Sequence, residues 1–280
     1  MDNMNPLASH FRVTKVQQML PSRGQFFEEG DFEAAINGEV GVMPMTARDE
    51  IVLKNPDALL NGDALESLFR SCVPGIKKPR HISVPDMDVL LLAIKLASYG
   101  DSLEVNVTCP ECKSEFSTDT SIRGLLGACE MVKDEDTVVR VNDDMVIKVR
   151  PYNFEDKTKL DLATFEESKM YQYLVDTEMS DDEKQTRFNV AFERIAELNL
   201  DLLSNCVVSV TVPTGEVTNK DHIREFVKNT DRSTIKLISQ KLSNLSDSGI
   251  PKELDVVCAN EECKHEWKTA MIFDASHFFA

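Results

Sequence analysis

Four of the seven cysteines fall in two short runs whose spacing suits a metal. VTCPECKSEFST, beginning at Val107, carries Cys109 and Cys112; VVCANEECKHEWKT, beginning at Val256, carries Cys258 and Cys263. Set side by side, both runs read as a strand, a cysteine loop, then Cys-Lys-x-Glu-aromatic-x-Thr. Zinc takes four soft or borderline donors at tetrahedral corners, and these local cysteine intervals are those of structural zinc loops. One pair leaves that shell half filled. Together the pairs complete it, so Cys109, Cys112, Cys258 and Cys263 are the candidate ligands of one zinc ion. His265, two residues beyond Cys263, is an alternative donor, although a place on the hairpin surface suits it better. A redox dithiol at the first pair is the competing reading, and the second run of the same frame argues against it. Four cysteines close the shell, whereas a catalytic zinc keeps a position open for water beside an acid or base. The expected role is therefore structural, fastening residues near 110 to residues near 260.

The flanks of each run say how the cysteines are held. LEVNV leads into the first and ELDVV into the second, while EFSTDTSI and EWKTAMIF lead out with period-two alternation, so each run is expected at the tip of a β-hairpin. Between Cys112 and Cys258 lie 145 residues, so a whole subdomain has to be inserted between the two knuckles. Most of that insert reads as helix, near 155–175, 182–205, 221–228 and 233–245. A strand and turn at CVVSVTVPTGEV interrupts it, and TVVRVNDDMVIKVRP precedes it as a hairpin turning at Asn142 and Asp143. In the second helix Phe188, Phe192, Ile195, Leu198 and Leu202 form one stripe, expected to pack inside the insert.

Ahead of the first knuckle, residues 1–20 lack a clear apolar period and read as an arm. Pro21, Ser22 and Gly24 mark a turn. GEVGVMPMTARDE reads as a strand running into a helix, with Thr46 and Asp49 forming a capping box. A helix is expected over about 62–73. Another begins near Ser83 and ends at Gly100; Met87, Leu90, Leu91, Ile94 and Ala97 recur at three and four, with Val89 and Leu92 widening that face, the mark of a buried helix. Cys72, Cys129 and Cys206 stand alone among apolar neighbours and are read as buried free thiols. Phe278 and Phe279 near the carboxyl terminus could fold back onto the body or dock into a neighbouring subunit.

Charge narrows the partners. Asp and Glu total 48 against 31 Lys and Arg, a net charge of −17. No surplus of cations exists to displace counterions from a phosphate backbone, so nucleic acid is not an expected ligand. The longest apolar stretch, VLLLAIKLA, is too short to cross a bilayer, and no secretory leader is evident, so a soluble protein made inside the cell is expected, without membrane insertion. An odd number of unevenly spaced cysteines suits reduced thiols and a metal better than a disulfide framework. The five histidines show no paired metalloenzyme spacing, and no nucleophile or phosphate-binding motif occurs. Nothing nominates a reaction.

The ordered run LPSRGQFF, GEVGVMPMTARDEIVL, ALLNGDALESLFRSCV and VPDMDVLLLAIKLASYGDSLEVNVTCPECKSEF resembles the baseplate hub and hub-assembly proteins of T4-like contractile-tailed bacteriophages. The likeness covers about residues 20–120 well. It implies a non-enzymatic tail component, made in the host cytoplasm and placed in the virion baseplate. Its partners would be other hub or tail proteins. A tail or baseplate assembly chaperone absent from the mature virion is the alternative, and a cellular enzyme with a zinc-stabilised domain is a third reading. The fold class expected is α+β, mainly helical, with a small zinc-ribbon-like β element of two knuckle hairpins and an inserted helical subdomain. The expected division is 1–22 arm, 23–150 α+β domain with the first knuckle, 151–250 helical insert, and 251–280 second knuckle and apolar tail.

Overall fold

The computed structural model describes residue 7 and residues 10–34, 38–176 and 180–271. Within these residues helices and antiparallel strands alternate in blocks around two apolar cores, a mixed content consistent with α+β. The first core begins with β1 (Val16–Met19), paired antiparallel with β2 (Glu39–Val42) so that Val16 faces Val42. Part of the segment read as an arm is therefore a strand. The chain ahead of it is anchored by Arg12, whose guanidinium donates to the Pro44 and Ser71 carbonyls at 2.7 and 2.8 Å and pairs with Asp49 at 3.3 Å. No apolar period announces a strand that short.

Helix α1 (Ala47–Leu53) starts where the capping box predicts. The Thr46 side chain accepts from the Asp49 N–H, and the Asp49 carboxylate accepts from the Thr46 N–H at 2.7 Å. Two further helices, α2 (Pro56–Leu60) and α3 (Asp63–Cys72), wrap the core, and α3 turns Leu68, Phe69 and Cys72 inward. At the centre lies α4 (Val84–Tyr99), opened by Pro85 in its first turn and ended by Gly100. Val89, Leu90, Leu92, Ala93 and Ile94 are wholly buried on it, so apolar burial encircles the helix as its sequence requires.

Strands β3 (Ser102–Thr108) and β4 (Glu115–Ser121) form the first knuckle hairpin, and α5 (Ile122–Gly127) returns its outgoing strand to the core through Ile122 and Leu125. The second core surrounds a four-stranded antiparallel sheet. It is built from β5 (Val138–Asn142) and β6 (Met145–Val149), then, beyond α6 (Phe154–Asp176) and α7 (Asp181–Cys206), from β7 (Val207–Val212) and β8 (Gly215–Val217). The sheet thus draws strands from both sides of residue 150. Helices α8 (Lys220–Asn229) and α9 (Arg232–Ser246) cover it with Ile223, Val227, Ile238 and Leu242. The second knuckle hairpin, β9 (Glu253–Val257) and β10 (Glu266–Ala270), follows after Gly249.

Two expectations need correction. The β5–β6 turn is centred one residue later than expected, on Asp143 and Asp144, because Asn142 still pairs with Met145 and its side chain accepts from the Asp144 N–H at 2.9 Å. The apolar stripe of α7 does not pack along its whole length. Leu202 is buried and Ile195 half-buried, but Phe188 and Phe192 are 47% and 62% exposed. A helix of 26 residues is about 39 Å long at 1.5 Å per residue, and only its C-terminal part contributes to the second core.

Candidate metal centre

The knuckle loops are tight turns closed by the cysteines' own backbone. In the first, the Cys109 N–H donates to the Ser114 carbonyl and the Lys113 N–H to the Cys109 carbonyl, both at 3.0 Å. In the second, the Cys258 N–H donates to the His265 carbonyl at 2.9 Å and the Cys263 N–H to the Asn260 carbonyl at 3.0 Å. Each loop places the lysine after its second cysteine in the left-handed region, Lys113 at φ 61° and Lys264 at φ 47°. That conformation is uncommon for a residue with a Cβ. It turns the next amides back toward sulfur: the Ser114 N–H serves Cys112 and the His265 N–H serves Cys263. The shared Cys-Lys frame of the two runs therefore reflects a shared loop geometry.

All four sulfurs converge. The Sγ atoms of Cys109, Cys112, Cys258 and Cys263 lie within 4.8 Å of one another, with Cys109–Cys263 at 3.9 Å and Cys112–Cys258 at 3.6 Å. The first cysteine of each loop meets the second of the other, the reciprocity of a local two-fold axis. The aromatic positions of the frame obey the same relation, Phe116 and Trp267 meeting edge to face at 6.1 Å. These separations are too long for a disulfide, whose sulfurs stand about 2.0 Å apart. With Zn–S bonds of about 2.3 Å, a tetrahedral shell sets its sulfurs about 3.8 Å apart. The donor set fits a four-coordinate soft metal such as zinc.

Electrostatics point the same way. The Ser114 hydroxyl, at 3.0 Å, and the Ser114 N–H pull the Cys112 thiol down to about 6. Cys263 is pushed up to about 12: the His265 N–H favours its thiolate, but desolvation and the three neighbouring sulfurs oppose it. Sulfurs this close cannot all hold negative charge unaided, and a divalent cation among them relieves the repulsion. The three remaining cysteines contrast. Cys72 and Cys206 are buried and Cys129 half-buried, and burial pushes their thiols up to about 11, 12 and 11.

His265 does not join the sulfur cluster; its ring stacks on Trp267 with centroids 5.9 Å apart. Phe278 and Phe279 lie outside the described residues.

Several anchoring residues had no signature in the sequence. Lys252, at the base of the second hairpin, forms an ion pair with buried Asp88 on α4, and the Met271 N–H donates to the Lys252 carbonyl at 2.7 Å. Asp86, in the first turn of the same helix, accepts from the Ser22 N–H at 2.9 Å and the Ser83 hydroxyl at 2.7 Å, and also from the Ser22 hydroxyl. Both aspartates lie near the start of α4, and only the packing shows that each pins a distant segment to it. A second convergence, Glu28 with Asp31 and His81, is already engaged within the protein, since Asp31 forms an ion pair with Lys78 at 2.8 Å and a hydrogen bond with His81 Nδ1 at 2.6 Å.

A family model described as T4 bacteriophage base plate protein matches residues 14–280. No curated protein and no solved structure gives a match. The matched span takes in both cysteine loops and everything between them, and the chain belongs to the T4 bacteriophage base plate protein family.

Proposed function

We propose that this chain is a structural, non-enzymatic subunit of the baseplate hub of a contractile-tailed phage, held by one zinc ion bound to Cys109, Cys112, Cys258 and Cys263. Membership of a phage base plate protein family supports a place in the tail, in contact with other tail proteins. The observation that carries the further step is the meeting of the four sulfurs across 145 intervening residues, at separations that suit a tetrahedral shell. Zinc there would supply no reaction. It would join the two hairpins into a zinc-ribbon-like element and close the long excursion between them. Binding of this kind is also folding free energy, on the order of 10 kcal/mol in small zinc peptides. A stiff body with both ends of a long insert fastened suits a part that transmits load between neighbours. Among the described residues no helix is long and apolar enough to cross a membrane.

Elemental analysis of the purified chain should find about one zinc per molecule, and mass spectrometry of purified tails should find the chain itself. Its absence from finished tails, with zinc still bound, would replace the structural reading by that of an assembly chaperone. Absence of zinc from both wild type and tails would refute the metal site.

A further inference from the structure

We propose that the α6–α7 hairpin is a docking arm for a basic amphipathic helix of a neighbouring tail protein. The source of that neighbour rests on the baseplate reading; the chemistry of the surface does not. Phe165, Phe188, Val190 and Phe192 on these two helices are all exposed, Val190 and Phe192 by about three-fifths. A groove of about 450 Å³ runs between the helices, floored by half-buried Leu162, Met170, Ile195 and Leu198, and Phe188 and Phe192 stand seven and three residues before Ile195, on the side of α7 that faces it. A smaller cleft at Val190 and Leu200 shares Arg194 and Glu197 with it, so the two concavities adjoin across α7. An apolar groove with large side chains beside it fits the hydrophobic stripe of a helix, whose anchors recur at i, i+3 or i+4, and i+7.

Charge selects the occupant. Across α6 and α7, Asp and Glu outnumber Lys and Arg by twelve to six. Arg194 is engaged by Glu166 at 3.5 Å, whereas Glu167, Glu193 and Glu197 along the groove and cleft make no ion pair with any described residue. These carboxylates would pair with lysines or arginines flanking the stripe of an incoming helix. A second copy of this chain is the wrong partner, because it would bring an equally acidic hairpin on a body of charge −17.

The test uses the full chain and two fluorescent helical peptides, leucine with lysine at heptad spacing and the same pattern with glutamate replacing lysine, followed by anisotropy. The lysine peptide should bind and weaken as salt rises, while the glutamate peptide should not. Phe188→Ser with Phe192→Ser should weaken binding at least about tenfold, with zinc content and thermal melting unchanged. Glu167→Lys with Glu197→Lys should reverse the preference between peptides. Failure of the lysine peptide to bind, equal binding of both peptides, or indifference to the phenylalanine substitutions overturns the proposal. So does self-association of the chain that those substitutions abolish. Unchanged zinc content in the same samples leaves the metal site standing if docking fails.

Discussion

Two β regions of this molecule are held by different means. In the four-stranded sheet, Ile147, Val149, Val207 and Val210 turn one apolar face onto α8 and α9, whose buried isoleucines and leucines complete a core. In the paired knuckle hairpins most side chains are exposed or half-buried; Leu103, at the base of the first hairpin and part of the first core, with Val107 and Val256 nearer the tips, are the apolar side chains buried there, beside Cys109 and Cys258. A lone two-stranded hairpin is marginal in water, and two that share so little apolar surface remain so. The sheet can rest on hydrophobic burial. The proposed zinc would tie the hairpins through their sulfurs.

The sharpest way to break this comparison is to remove one ligand. Cys258→Ser should abolish metal binding as fully as Cys109→Ser, with on the order of 10 kcal/mol of binding free energy at stake. Hydrogen exchange should then accelerate in residues 102–121 and 253–270 together, whichever cysteine is lost. If one substitution loosens a single hairpin and spares the metal, the two loops do not share a site. Chelation of the wild type should reproduce the pattern, leaving exchange in residues 207–212 slow.

Next in size is the reverse experiment on the sheet. Ile147→Ala, at a wholly buried position, should cost about 2–5 kcal/mol of stability, read by denaturant unfolding. Metal content should remain that of wild type.

Lys252→Met probes the join between the second hairpin and α4. It leaves Asp88 buried without its cation and should cost about 2 kcal/mol, less than a fully buried pair because Lys252 is partly exposed. Burial already holds Asp88 above the ordinary carboxylate value, with Lys252 opposing. A raised folded value means that the folded state holds the proton more tightly, so stability falls as pH rises through it. The variant's deficit should therefore be larger near neutrality than in mild acid. Smallest of all, Phe192→Ser should shift stability by less than about 0.5 kcal/mol, because its side chain is mostly in solvent already.

Much of the local structure was legible because its causes are local. Thr46 and Asp49 cap α1 through atoms three residues apart, and Pro85 and Gly100 bound α4 through their own backbone preferences. The hairpins follow from alternation on either side of each cysteine loop. The exposure of Phe188 and Phe192 was not legible, since a stripe at helical spacing reads alike whether a neighbour covers it or stops short. Nor was the pairing of Asp88 with Lys252, 164 residues apart.

The chain's own order determined which residues could bind a metal and how each pair is presented, because loop geometry depends on neighbours a few residues away. Tertiary structure alone decided that Cys112 meets Cys258, that Phe116 meets Trp267, and that the far half of α7 stands clear of the core. Those outcomes depend on the length and packing of everything between, and no short window of sequence contains that information.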